Sequence, residues 1–132
     1  MKESDIIDKL LIAFKDDKIK RQVLDSNWYQ LNIERGIDST GFCFSASEVL
    51  YRLTGGTEIW MVKRLIDPTN WNQGTHYFLY RKSNNEIVDI TSNQYTERDI
   101  EIPYDRGRGT GLRYISNKAK LLALLAGLGT LS

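Results

Sequence analysis

The sequence predicts an α+β domain, and three observations predict it. Apolar residues recur at helical spacing through the first part of the chain, the period changes after Gly55-Gly56, and the segments that follow read as strands joined by a short turn. Helices come first and an antiparallel sheet follows, which is not the alternating order of a parallel α/β fold. The 132 residues amount to one domain, 1–132, with no repeat, low-complexity tract or linker to split it. A chain of this size buries roughly 65–70% of its unfolded surface, enough for one core.

Each element has its own signal. At the N-terminus, Ser4 reads as a cap, and Ile7, Leu10, Leu11 and Phe14 share a helical face. After the polar stretch 15–18, Ile19 and Val23 predict another turn or two, completing a helical segment over 1–24. Residues 25–40 show no clear period and end in Asp38-Ser39-Thr40-Gly41, a turn-and-cap signal. A helix over about 42–53 follows, with Ala46, Val49, Leu50 and Leu53 as its stripe; Ser47, Glu48 and Arg52 lie elsewhere on the wheel. Gly55-Gly56 closes it, so Cys43 sits in its first turn. Strands are expected over 58–65, 76–81 and 86–91, with a loop over 67–74 and the turn Lys82-Ser83-Asn84-Asn85 making a hairpin of the last two. Pro103 and the Gly107, Gly109, Gly111 tract read as connection, and Ser116 as the cap of a final helix within 116–128.

Composition excludes several chemistries. Hydrophobic residues make up 41% and charged residues 27%, the balance of a soluble globular chain. Lys and Arg total 18 against 17 acids, a net charge of +1, where a uniformly basic nucleic-acid binder would carry a surplus. The one cysteine, Cys43, forbids an internal disulfide. With His76 as the one histidine, a structural zinc site of four Cys or His ligands is nearly excluded as well. A lone cysteine, no convincing targeting segment and no apolar run near the length of a membrane span predict a cytoplasmic protein with no membrane partner.

Three residues form a chemical constellation: Cys43 opening a helix, His76 opening a strand and Asp89 in the next strand. The hairpin register sets His76 nearly across from Ile90 or Thr91, with Asp89 about one position off. A thiolate is favoured at a helix N-terminus, a histidine can exchange its proton, and an acid on the far ring nitrogen fixes the tautomer. The backbone N–H of Cys43 would help to hold an oxyanion.

Gly41-Phe42-Cys43-Phe44-Ser45-Ala46, Gly55-Gly56, His76-Tyr77-Phe78-Leu79 and Asp89-Ile90-Thr91-Ser92-Asn93-Gln94-Tyr95 together resemble the small bacterial YunG-like family. More broadly, the order Cys, His, Asp resembles the papain-like and transglutaminase-like superfamily of cysteine hydrolases. The resemblance covers about 28–104 and implies a cysteine-bearing helix packed on an antiparallel sheet. It makes Cys43 the nucleophile, His76 the base and Asp89 the orienting acid. Phe42 stands where the family often carries glutamine. Thr91 and Gln94 belong to the same motif and are read as supporting or substrate-orienting residues.

The expected function is thus cysteine-dependent acyl transfer on an amide or ester, as in a thiol peptidase, amidase, deamidase or transglutaminase-type enzyme. It needs no cofactor and no metal, and its substrate could be a protein. The alternative is a catalytically silent papain-like module, an effector or inhibitor that binds a protein or small ligand. Trp28, Trp60 and Trp71 read first as core or loop packing; Trp28 and Trp71 are the two that would flank a substrate cleft. The segment Arg106-Gly107-Arg108-Gly109-Thr110-Gly111 lacks the spacing of a phosphate loop and reads as a basic surface loop.

Overall fold

A computed structural model describes residues 1–66, 71 and 73–131. The chain opens with three helices: α1 (Glu3–Phe14), α2 (Asp17–Val23) and α3 (Ser26–Arg35). Ser4 lies inside α1 rather than capping it: the helix starts two residues earlier than a Ser4 cap implies, with Lys2 at the cap position and no side-chain cap. Asp16 caps α2 through the N–H groups of Lys18 and Ile19.

The aperiodic stretch after Leu24 contains a helix, α3. Asp25 accepts the Trp28 N–H at its start, and Gly36 ends it in the left-handed conformation at φ 66°. Asn32 is the one fully buried residue on α3, so a mostly solvated helix left no apolar stripe to read. Residues 37–42 then turn twice, with the Thr40 N–H donating to Ile37 and the Phe42 N–H to Ser39.

The next helix, α4 (Cys43–Leu53), is buried nearly all round. Its apolar stripe faces α1 and the sheet. Ser47 and Glu48, off that stripe, are buried too: the Ser47 hydroxyl donates to the Tyr77 carbonyl at 3.4 Å, and a last helix, α6 (Asn117–Leu125), packs against α4. The Glu48 carboxylate accepts the Ser116 N–H at the start of α6, where helix N–H groups favour negative charge, and also pairs with Arg52 at 3.4 Å. Ser116 caps α6 through the Ala119 N–H.

Beside these helices lies a four-stranded antiparallel sheet built from β1 (Trp60–Leu65), β2 (His76–Arg81), β3 (Ile87–Val88) and β4 (Arg108–Thr110), in the order β3-β2-β1-β4. A short helix, α5 (Asn93–Thr96), follows β3. The hairpin turn is the expected one, with Asn85 at φ 63°. β2 and β3 pair with Leu79 opposite Val88 and Tyr80 opposite Ile87, but β3 is only two residues long and the chain leaves the sheet before Asp89. The Arg-Gly tract is not simply a loop: Arg108–Thr110 forms an edge strand on β1. Gly107 beside it runs so close to Phe78 that an added Cβ would stand 2.6 Å from the ring. The expected 67–74 loop, with Pro68, lies largely outside the described residues.

The sheet separates two clusters. Trp60, Val62 and Leu79 join the main core with α1, α2, α4 and α6. On the other side, Leu65, Phe78, Trp71, Tyr95 and Ile102 form a smaller, mostly aromatic cluster. His76, at the start of β2, borders that smaller cluster. Among the described residues no helix is long and apolar enough to cross a membrane.

Candidate active site

Cys43 owes its position to the turns before α4. Gly41 adopts φ 92°, and a Cβ there would meet Leu24 at 2.9 Å and Trp28 at 3.3 Å, so a side chain is refused both by conformation and by space. Phe42 is fully buried and stacks on Phe14 with ring centroids 4.6 Å apart, which anchors the start of α4 to α1. Cys43 then points outward at the first helical position, partly exposed, with its Sγ 3.8 Å from the Thr75 carbonyl oxygen. The helix has no side-chain cap, and its first-turn N–H groups, beginning with that of Cys43, lack partners inside the helix.

His76 is completely buried. Its ring is held edge-on by Tyr95 at 4.7 Å and flanked by Phe78 at 6.1 Å and Trp71 at 6.3 Å. Nε2–H donates to Asp89 Oδ2 at 2.7 Å, which leaves Nδ1 for the thiol. Nδ1 itself has no hydrogen-bond partner, so thiol and imidazole face one another without a formed bond, although they are near enough to interact. Such contacts often tighten only when substrate is bound. Burial pulls the His76 pKa down, but the hydrogen bond donated to Asp89, the Cys43 thiol and the charge of the carboxylate outweigh it and raise the pKa to about 9.

Asp89 reaches the imidazole because the chain leaves the sheet. Extending the register would set Asp89 level with Phe78, diagonal to His76 on the same face. The turn that follows, closed by the Ser92 N–H on the Asp89 carbonyl, accompanies the departure of the side chain from the ladder. Oδ2 also accepts from the Tyr104 hydroxyl at 2.9 Å, while Oδ1 is buried without a partner. Sequence reasoning missed Tyr104 as a member of this group. It opens a single 3-10 turn (Tyr104–Arg106) just after Pro103, with no spacing that ties it to Asp89. Burial pushes the Tyr104 phenol up, and Asp89 adds to it; the Tyr95 phenol is raised by burial, then by Cys43 and Asp89.

The other expected site residues divide in two. Trp28 lines a cleft of about 330 Å³ together with Cys43, Phe44, Thr75, Tyr77 and Lys118. Trp71, which faces His76, and Thr91 and Gln94 are all buried and are not among the residues lining that cleft. Gln94 donates to Thr91 Oγ1 at 3.1 Å, and its backbone carbonyl accepts from Arg98 at 2.8 Å, so it ties together the loop that carries Asp89.

A thiol at a helix start, a buried imidazole and a carboxylate on the ring's Nε2 lie next to one another, with the thiol lining a cleft. Comparison with family models, with curated proteins and with solved structures finds no match to this chain.

Proposed function

We propose that this domain is a cysteine-dependent acyl-transfer enzyme with a papain-like core, as its resemblance to the YunG-like family implies. Cys43 is the nucleophile, His76 the general acid–base and Asp89 the acid that orients it. The observation that carries the reading is the two-sided use of one imidazole: Nε2 bonded to Asp89, Nδ1 left for Cys43.

In the reaction, the Cys43 thiolate adds to the carbonyl carbon of an amide or ester, and an S–C bond forms. The oxyanion is met by N–H groups at the start of α4, since Phe42 is committed to the core and offers no side-chain donor. As the tetrahedral intermediate collapses, the C–N or C–O bond breaks and imidazolium Nδ1–H passes its proton to the leaving group. Water or an amine then attacks the thioester, gives its proton to Nδ1 and releases the thiolate. An imidazole raised to about 9 is protonated at neutral pH, which suits a thiolate partner. The cleft walls of Val23, Trp28, Phe44 and Tyr77 suit an acyl donor with an apolar group beside the scissile bond.

Alkylation of Cys43 by iodoacetamide as a function of pH tests this. Near neutral pH the reading expects fast labelling that His76→Ala slows by about tenfold or more, the scale of a lost imidazole–thiolate pair. Labelling that follows an ordinary thiol, with His76→Ala indistinguishable from wild type, would overturn it.

A further inference from the structure

Asp89 Oδ2 accepts two donors, and the acyl-transfer reading uses one of them. The second is Tyr104, fixed by contacts that its hydroxyl does not make. Its ring meets Phe78 edge-on at 5.0 Å, and Gly107, packed against the same Phe78 ring, closes the turn by donating its N–H to the Tyr104 carbonyl. The phenol is thus aimed at the carboxylate by the small aromatic cluster on the far side of the sheet. Both donors converge on one oxygen while Oδ1 stays bare in the interior.

We propose that Tyr104 is a positioning residue for this site: its hydroxyl holds Asp89 against His76 and takes a share of the carboxylate's charge, so that the imidazole can release its proton to a leaving group. The inference rests on the acyl-transfer reading for its purpose, and on the geometry for its effect. Deprotonating the imidazolium leaves Asp89 as an unbalanced negative charge in a buried setting. A donor on Oδ2 stabilises that state more than it stabilises the ion pair, and so eases proton release. Without the hydroxyl, the whole charge bears on the imidazolium and holds its proton longer. The other groups facing the imidazole are the Cys43 thiol from α4 and the Tyr95 phenol from α5, with Arg98 over the Tyr95 ring at 5.6 Å.

The chain has one histidine, so its imidazole resonances can be followed by NMR without assignment. Tyr104→Phe keeps the ring that packs on Phe78 and removes only the donor. The expected result is a His76 transition moved upward by roughly half a pH unit or more, with an unchanged thermal midpoint within a few degrees. A transition that stays in place, or falls, overturns the role of Tyr104. Cys43→Ala separates the two readings: it should lower the His76 transition if thiol and imidazole interact. If it does not while Tyr104→Phe still raises the transition, acyl transfer fails and the Tyr104–Asp89–His76 relay stands.

Discussion

His76 carries an electrostatic signature that stability measurements can read. Its ordinary pKa of 6.5 rises to about 9 in the folded chain. A raised folded value means that the folded state binds the proton more tightly, so the stabilisation is complete below about pH 6.5 and is lost as pH climbs through 9. For a fully buried ring the scale is roughly 3 kcal/mol across that window. Urea midpoints should therefore fall between pH 6 and pH 9.5, and Asp89→Asn should flatten that dependence by removing the carboxylate that holds the proton. At the same scale, Phe42 has two possible identities, a failed oxyanion donor or a core residue. Its stacking on Phe14 and complete burial make it the second. Phe42→Gln would place an amide among apolar rings and should cost about 3 kcal/mol or more in chemical denaturation, without speeding the alkylation of Cys43 by iodoacetamide.

Among the elements, α3 is the one on which the cleft most depends and the one least visible in the sequence. It brings Trp28 to the wall of the cleft, and its start is tied by Asp25 to the Trp28 N–H at 3.0 Å. Asp25→Ala should destabilise the domain by about 1 kcal/mol, the usual value of a lost N-cap. The measurement that checks it is a paired one: a lowered denaturation midpoint, together with greater solvent quenching of Trp28 fluorescence in a variant lacking Trp60 and Trp71. The hairpin teaches the complementary lesson. The four-residue turn specified the pairing of Leu79 with Val88, since turn length sets register. The turn could not say where pairing would stop, and the early end of β3 goes with the departure of Asp89 toward the imidazole.

For the whole molecule, the site lies where the two cores meet. Cys43 rides on α4, whose body belongs to the main core, whereas His76 is packed by the smaller aromatic cluster across the sheet. Aligning thiol and imidazole therefore depends on both cores at once. Buried polar groups brace that junction: Glu48 binds the start of α6, Gln94 binds Thr91, and Asp89 binds His76 and Tyr104.

Local chemistry in the chain was enough to read the α+β order, the span of α4, the hairpin register and the candidates Cys43, His76 and Asp89, because spacing, caps and turns act over a few residues. Nothing local marked α3, β4, the burial of Phe42 and Glu48, or the hydroxyl of Tyr104. Apart from α3, whose caps Asp25 and Gly36 are local but carry no apolar stripe, these follow from contacts between segments distant in sequence. A solvated helix has no apolar period, an edge strand needs a neighbour to pair with, and a donor becomes part of a site only when packing aims it at its acceptor.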